Sequence, residues 1–286
     1  MLTFLPGPVR GALSLLLFTL NTIFWTVPLL VLHLLKILAP ASGWRRFWGG
    51  LQNLIGTAWV SFNNWTLRLT NPVLWDIRGS EGLARDEWYL VIANHRSWVD
   101  ILVLQKVFNG KIPFLKFFLK KELLWVPFLG LAWWALDFPF LARSATANKD
   151  LEAIQKAAEK FKIAPVSVMN FVEGTRFTPE KHEKQRSPYS HLLKPKTGGM
   201  TFLLSSMGEE IRSVLDVTIA YPQGTPTMWG FLCGEPEEIR VRVKAIPVDD
   251  ELVGDYRKDK AFRRRFTAWQ EGLWAEKDKE LEELLG

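Results

Sequence analysis

The chain has 286 residues, enough for one sizeable domain with an additional segment or for two small domains. Its hydrophobic content of 48% is ordinary for a globular protein, but 14 tryptophans and 19 phenylalanines make it rich in aromatic residues. A net charge of +6 points to anionic partners, and the single cysteine, Cys233, excludes an intramolecular disulfide and a cysteine-based zinc site.

The first element in chain order is a long stretch, Gly11–Leu35, that carries no formal charge. As a single helix it would be about 38 Å long, against a bilayer hydrocarbon core of about 30 Å. A secretory signal would be shorter and would end in a small-residue cleavage site, so it fits poorly. Pro28 interrupts the stretch, which predicts either one kinked membrane span or two half-length helices that dip into one leaflet. Because Pro28 lies near the middle of a run longer than one span requires, the second alternative is favoured.

A second, weaker apolar stretch at residues 47–63 could pair with the first. Five tryptophans lie within the first 65 residues, and tryptophan favours the membrane–water boundary. Lys36, Arg45 and Arg46 follow the first stretch, and positively charged loops stay on the cytoplasmic side of a membrane. We therefore expect residues 1–63 to form a membrane-embedded helical segment, with the rest of the chain on the cytoplasmic face.

Beyond residue 64, short β-rich runs alternate with helix-like runs, which is the pattern of an α/β domain. We expect this domain to cover residues 64–250 and a charged C-terminal helix to cover residues 251–286. The predicted strands are Val73–Arg78, Trp88–Ala93, Pro139–Ala142, Val166–Val172, Val214–Tyr221 and Ile239–Ala245. The predicted helices are Ser97–Phe108, Asn148–Lys162, Gly199–Met207 and Lys258–Glu283. The last strand alternates apolar and basic residues, which predicts a half-exposed strand near a sheet edge.

The most informative motif lies in residues 90–100, where an apolar strand runs into a polar turn and then into a helical pattern. Sites in open α/β sheets gather at the carboxyl ends of strands, which is where His95 falls. Residues five apart on a helix point about 140° apart, so His95 can reach Asp100 only from outside the helix. The spacing of Ser97 and Asp100 is that of a helix N-terminus with Ser97 as its cap, which leaves His95 on the turn. The motif thus predicts either a general base oriented by a carboxylate or a capping aspartate beside an unrelated histidine.

A second strand runs into a polar turn at Glu173–Arg176, which reads Glu-Gly-Thr-Arg. Gly174 permits a close backbone approach, and the guanidinium of Arg176 can bind two phosphate oxygens at once. Taken alone, the motif more often marks a turn glycine beside a surface salt bridge than a phosphate site.

Together the two motifs resemble those of the glycerolipid acyltransferases of the lysophosphatidic acid acyltransferase type. Asn94–Asp100 matches the family's first motif, an Asn-His pair followed by four residues and an aspartate. Phe171–Arg176 matches the third motif, Phe-Pro-Glu-Gly-Thr-Arg, except that Val172 replaces the proline. The resemblance covers residues 64–225, and its details are closest to the lysocardiolipin-type branch and its bacterial relatives.

Three further segments carry the resemblance. Residues 120–130 resemble the family's lysine-bearing segment ahead of a proline and a glycine. Residues 140–143 resemble its second motif, although Asp137 stands where many members have glycine. Residues 217–222 resemble its fourth motif, a strand that ends in proline.

The resemblance implies an α/β fold in which a mixed sheet is flanked by helices, preceded by the membrane-embedded segment. It implies transfer of a fatty acyl group from acyl-CoA or acyl-carrier protein to the free hydroxyl of a lysophospholipid. The implied acceptor is 1-acyl-glycerol-3-phosphate, which would give phosphatidic acid. Lysocardiolipin or lysophosphatidylglycerol as acceptor is one alternative, and a lipid-binding membrane protein without turnover is the other. No cofactor, metal ion or nucleic-acid partner is expected, and the implied location is the bacterial inner membrane.

The resemblance also implies the site residues. His95 would be the general base and Asp100 the group that orients it. The residues expected to bind substrate are Lys120, Arg143, Glu173, Gly174, Thr175 and Arg176. Among these, the basic side chains would grip the acceptor phosphate, and backbone N–H groups of the turn would stabilise the oxyanion. Lys194 and Lys196 are weaker candidates for the phosphates of the acyl donor.

Two stretches leave their roles open. Residues 123–141, with Asp137 as their one charge, could form a core helix and strand, line a tunnel for the acyl chain, or dip into the membrane interface. Residues 256–266 are basic and aromatic, which suits an anionic lipid surface as well as the solvated face of a helix.

Overall fold

In a computed structural model that describes residues 1–141, 147–256 and 258–286, two long helices open the chain. Helix α1 (Gly7–Ile37) and helix α2 (Ser42–Thr70) pack against each other as an antiparallel hairpin. Buried polar pairs fix their register, since Ser14 Oγ donates to Thr70 Oγ1 at 2.6 Å. Many side chains on the outer face of α1 are apolar and exposed, which is typical of helices that contact a membrane.

The favoured alternative, two half-length helices that break at Pro28, is wrong, because α1 continues through this residue to Ile37 as the single-helix alternative requires. A proline inside a helix removes one backbone hydrogen bond, a local loss. Packing of α1 against α2 and against helix α4 (Leu129–Ala135) stabilises the helix around that point. The hairpin that the sequence suggested within α1 is instead made by α1 and α2. Of the described helices, α1 is also the one long and apolar enough to cross a membrane, judged by length and composition.

The remaining elements form an α/β domain around a six-stranded sheet. Its strands lie in the order β1-β8-β7-β2-β6-β3, and all neighbours are parallel except the β7–β8 pair. The predicted mixed sheet flanked by helices is therefore confirmed. Its six strands are β1 (Leu74–Arg78), β2 (Trp88–Ala93), β3 (Leu115–Phe117), β6 (Ser167–Phe171), β7 (Ile211–Ala220) and β8 (Glu238–Pro247). Two further strands, β4 (Leu119–Lys120) and β5 (Phe140–Leu141), pair in a separate two-stranded sheet. The further helices are α3 (Val99–Phe108), α5 (Ala147–Phe161), α6 (Pro179–Gln185), α7 (Thr197–Met207), α8 (Met228–Cys233) and α9 (Lys260–Leu285).

The two faces of the sheet carry separate hydrophobic cores. Leu90 and Ile92 of β2 point into one core, and Val91 and Ala93 point into the other, as the alternation of a strand requires. The hairpin, α3 and α4 cover one face, while α5, α7 and α9 cover the opposite face. Strand β8 lies one position in from the edge strand β1, which confirms its predicted place near a sheet edge.

The structure also places the described residues of the basic and aromatic stretch 256–266, from which Arg257 is excluded. Phe262 and Phe266 are buried in the core beneath α9, whereas residues 263–265, all arginines, are exposed. The two phenylalanines therefore serve packing, whereas the exposed arginines fit both the solvated helix face and the anionic lipid surface that the sequence offered. Residues 123–141 divide in a similar way. Ala132 and Leu136 are buried, while Trp125 is 83% exposed, so one side joins the core and the other forms an apolar surface.

Candidate active site

The two sequence motifs meet at one edge of the sheet. Strands β2 and β6 are parallel neighbours, and Ala93 pairs with Phe171 at the end of both strands. The turns that follow therefore leave the sheet side by side. A hydrogen bond joins them directly, because the backbone N–H of Phe177 donates to the carbonyl of His95 at 2.7 Å.

Asn94 fixes the start of the first turn. Its side-chain amide donates to the carbonyl of Ile219 at 2.9 Å, and its side-chain oxygen accepts the N–H of Ile219 at 2.8 Å. This paired contact continues the β2–β7 ladder by one position with a side chain in place of backbone. Asn94 is buried, and its amide thereby fixes where the chain turns towards His95.

Asp100 lies at the centre of the first turn and is fully buried. Its Oδ2 atom lies 2.8 Å from His95 Nδ1 and also accepts the N–H groups of Arg96, at 2.7 Å, and Ser97, at 2.9 Å. Its Oδ1 atom accepts the hydroxyl of Tyr221 at 2.5 Å. The contact with His95 that the sequence left open is thus present, and the same oxygen accepts N–H groups that lie ahead of Val99, the first residue of α3.

This contact determines how the imidazole can act. An ionised carboxylate only accepts hydrogen bonds, so Nδ1 of His95 carries the proton and Nε2 keeps its lone pair. The ring stacks on Phe171, with centroids 3.8 Å apart and planes 14° from parallel. The side chain of His95 remains 14% exposed, which leaves it reachable from the edge of the sheet. The arrangement is that of a general base held in one tautomer and one orientation.

Glu173, in the second turn, is hydrogen-bonded to the backbone of the first turn and to that of Leu193. It is fully buried, and its two oxygens accept the N–H groups of His95, at 2.8 Å, and Leu193, at 2.9 Å. Burial raises the pKa of Glu173 to about 7, against the opposing effect of those hydrogen bonds and of the Arg96 charge. The sequence predicted that Glu173 contacts substrate. Both of its oxygens accept backbone N–H groups, one of them that of His95, which favours a positioning role, and contact with substrate stays a prediction.

The turn after β6 exposes the groups suited to binding an anion. Gly174 has a φ of +69°, a left-handed conformation that favours glycine, and its N–H closes the turn onto Phe171 at 2.8 Å. The turn therefore forms although Val172 stands where the family has proline. Arg176 is exposed, and its guanidinium lies 5.1 Å from the centre of the Trp98 ring, which orients the planar group.

The other predicted phosphate ligands are less fully defined. Lys120 ends β4 and is exposed, just beyond the carboxyl end of β3 and hence at the same edge of the sheet as His95. Arg143 lies outside the described residues. Lys194 and Lys196 are exposed, and the Lys196 side chain passes beside Gly174.

Sequence reasoning missed three contributors to the site. Tyr221 was noted only as part of the fourth motif, and nothing in that motif revealed its bond to Asp100, 121 residues away. Lys181 donates to Thr175 Oγ1 and to the carbonyl of Arg176, both at 2.9 Å, from a helix that the sequence did not predict. Arg96 is partly buried over the Phe177 ring, and burial lowers the pKa of its guanidinium.

The fold and the sequence both have known counterparts. The crystal structure of the 1-acyl-sn-glycerophosphate acyltransferase PlsC from Thermotoga maritima superimposes with a TM-score of 0.56, covering 96% of this chain and 95% of that chain at 18% identity. That likeness defines the fold. In sequence, the Acyltransferase family matches residues 75–222, a range that contains both motifs and Tyr221. The chain belongs to the Acyltransferase family.

Curated relatives agree with this assignment. The human 1-acyl-sn-glycerol-3-phosphate acyltransferase delta is 28% identical over 203 residues, covering 66% of this chain and 51% of that protein. The Arabidopsis thaliana 1-acyl-sn-glycerol-3-phosphate acyltransferase 3 is 30% identical over 193 residues, covering 60% of this chain and 50% of that protein. The chain thus spans about half the length of the curated relatives it matches. The resemblance to the lysophosphatidic acid acyltransferase type is confirmed, and placement in the lysocardiolipin-type branch stays a prediction.

Proposed function

We propose that the chain is an O-acyltransferase that moves a fatty acyl group from acyl-CoA or acyl-carrier protein to 1-acyl-glycerol-3-phosphate, giving phosphatidic acid. The observation that carries the proposal is the 2.8 Å contact between His95 Nδ1 and Asp100 Oδ2, which leaves Nε2 as a base. Family membership supports the reaction, and the names of the curated relatives support the acceptor.

The chemistry follows from that geometry. Nε2 of His95 takes the proton of the acceptor hydroxyl while the oxygen attacks the thioester carbonyl, and Asp100 stabilises the imidazolium that forms. The tetrahedral intermediate then collapses, the C–S bond breaks, and the imidazolium returns its proton to the leaving thiolate. A covalent acyl-enzyme is not required. The hydroxyl of Ser97 donates to the carbonyl of Pro226 at 2.7 Å, and Cys233 is buried against α1.

The oxyanion of the tetrahedral intermediate requires N–H donors that make no hydrogen bond within the protein. The N–H of Gly174 is bonded to Phe171, which removes it from the predicted donor set. The N–H groups of Thr175 and Arg176 make no hydrogen bond to any described residue, and we assign the oxyanion to these two. The Arg176 guanidinium then binds the acceptor phosphate as a fork, with Lys120 and Arg143 as further cations.

The hairpin supports a one-sided membrane attachment rather than a span. Gly11 of α1 lies against Cys233, and His33 Nδ1 lies 3.0 Å from the carbonyl of Ala135, so both ends of α1 touch the catalytic domain. These contacts are 22 residues apart, or about 33 Å along the helix, close to the thickness of the hydrocarbon core. A spanning α1 would draw the domain into the bilayer. We therefore propose that α1 lies in one leaflet, on the cytoplasmic face of the bacterial inner membrane.

The test is an acyl-transfer assay with the purified full chain in mixed micelles. Labelled acyl-CoA and acyl-carrier protein are each offered with lysophosphatidate, lysophosphatidylglycerol and lysocardiolipin. The proposal predicts labelled phosphatidic acid as the main product. Labelled product from another acceptor alone would reassign the headgroup, and the absence of diacyl product with every pair would refute the enzymatic function.

A further inference from the structure

A cavity of about 570 Å³ lies on the far side of the domain from His95. Val166, which precedes β6, and Lys116 of β3 line it, so it opens at the edge where β6 begins. His95 follows the opposite, carboxyl ends of the parallel strands. The end of α1 and the start of α2 form the other wall. The cavity thus lies at the junction between the hairpin and the catalytic domain, outside the acyl-transfer site.

The lining of this cavity is strongly cationic. Asp137 is its one described carboxylate, and Lys36 and Lys160 both contact it, the latter at 3.2 Å. Burial raises the pKa of Asp137, but the neighbouring ammonium groups hold that pKa well below its ordinary value, so the carboxylate is charged. Six basic residues line the cavity: Lys36, Arg45, Arg46, Lys116, Lys156 and Lys160. The positive charge of the cavity therefore far exceeds what Asp137 can neutralise.

Lys116 is the most buried of these six basic residues. Its side chain is 7% exposed and points into the cavity, and its ammonium group makes no hydrogen bond to any described residue. Its nearest described aromatic ring is Phe161, with the centroid 5.4 Å away. Burial lowers the pKa of Lys116 to about 8, with Asp137 opposing the shift. A buried cation without a hydrogen-bond partner is costly, and an anion in the cavity would supply that partner.

Exposed apolar side chains around the cavity indicate what kind of anion fits it. Apolar side chains of the cavity reach the outer surface, where Ile37 is 56% and Trp134 is 43% exposed. Leu38 and Phe47, on either side of the turn between the two helices, are 73% and 64% exposed. A ligand that fits has a negatively charged head for the lysines and arginines and an apolar body for this surface.

We propose that the cavity binds the phosphate headgroup of an anionic membrane phospholipid whose acyl chains lie along the exposed end of the hairpin. The site is separate from the acyl-transfer site and does not depend on turnover. Phosphate on Lys116 and the two arginines would couple the hairpin to the catalytic domain at anionic membranes. Free phosphate offers the same headgroup chemistry without the apolar body, so the two sources can be told apart.

The test measures lipid binding to the full chain in neutral detergent by native mass spectrometry. Dioctanoyl phosphatidylglycerol is compared with dioctanoyl phosphatidylcholine and with inorganic phosphate. We expect phosphatidylglycerol to bind more tightly than either. Lys116→Met and Arg46→Gln should each weaken that binding by about tenfold or more, because each removes a charge-assisted contact. Arg264→Gln, an exposed arginine on α9, is the matched control and should bind as the wild type does.

Thermal stability and a variant of the acyl-transfer site separate loss of the cavity site from misfolding. Thermal unfolding is measured for both cavity variants, because Lys116 is also a charge neighbour of the buried Asp137 and its loss can lower stability; Arg46 is exposed, so Arg46→Gln keeps the test decisive. Loss of binding in a stable variant then reports the site and not misfolding. His95→Ala should bind phosphatidylglycerol normally. Equal binding of phosphatidylcholine or of inorganic phosphate, unchanged binding in both cavity variants, or loss of binding in His95→Ala would each overturn the proposal.

Discussion

Tyr221→Phe removes one hydroxyl from the site and nothing else. The Tyr221 hydroxyl donates to Asp100 Oδ1 at 2.5 Å, and both side chains are buried. No other hydrogen bond reaches that oxygen from the described residues, whereas Oδ2 accepts from three donors. The variant therefore leaves one oxygen of a buried carboxylate unsatisfied next to His95, while the shape of the core is kept.

The magnitude follows from the cost of such a loss. A hydrogen bond to a charged group contributes about 1.5–3 kcal/mol, and an unsatisfied buried acceptor costs a similar amount. We expect the free energy of unfolding to fall by about 1.5–3 kcal/mol. The loosened Asp100 would hold the imidazole less firmly, and a loss of about 1.4 kcal/mol in the transition state lowers kcat about tenfold. Tyr221 touches neither substrate in the proposed mechanism, so both KM values should stay near those of the wild type.

The matched control is Tyr189→Phe. Tyr189 is also a buried tyrosine, and its hydroxyl donates to the carbonyl of Glu271 at 3.3 Å, away from His95. Steady-state kinetics with labelled acyl donor, together with denaturant unfolding, are compared for both variants. Tyr189→Phe should lose stability and keep kcat. An unchanged kcat in Tyr221→Phe would refute the positioning role, as would an equal fall of kcat in both variants.

Three further predictions rest on the same site. Asp100→Asn can keep its oxygen towards His95 and its amide towards Tyr221, so it should lose activity but less than His95→Ala; equal losses would contradict an orienting role. Arg176→Lys keeps the charge and loses the forked geometry, so the acceptor KM should rise, whereas a change in the donor KM alone would move Arg176 to the donor phosphates. Burial raises the pKa of Glu173 from 4.5 to about 7 in the folded chain. Between these two pH values the unfolded chain loses a proton that the folded chain keeps, so the free energy of unfolding falls as the pH rises. Unfolding of Glu173→Gln should therefore depend less on pH between about 4.5 and 7 than the wild type, and identical slopes would count against the shift.

The sequence predicted the part of the site that depends on local geometry. The spacing of His95, Ser97 and Asp100 placed the imidazole on the turn outside the helix and left open whether it contacts the carboxylate, a pairing that the family resemblance implied. The parallel arrangement of neighbouring strands explains why the two motifs meet, because carboxyl ends of parallel strands share an edge. Strand positions were also predicted closely, since turn residues bound each apolar run.

Interactions between distant segments could not be predicted in the same way. The bond from Tyr221 to Asp100 and the position of Lys116 in a cavity depend on tertiary packing, which sequence periodicity does not record. The break expected at Pro28 ignored the neighbouring helices that stabilise α1 across the proline. The short strand β3 was missed because short apolar runs do not distinguish strand from helix.

The central claim is that His95 is the base for acyl transfer, and a single-turnover measurement tests it most directly. The full chain is mixed in excess with labelled acyl-CoA and lysophosphatidate, and the first formation of phosphatidic acid is followed in wild type, His95→Ala and His191→Ala. His191 lies on the surface, 2.5 Å from Glu282, and controls for the loss of a histidine as such. Removing a general base costs about 10²–10⁴-fold, so His95→Ala should slow the first turnover by that factor while His191→Ala matches the wild type. A first turnover in His95→Ala within about twofold of the wild type would contradict the mechanism.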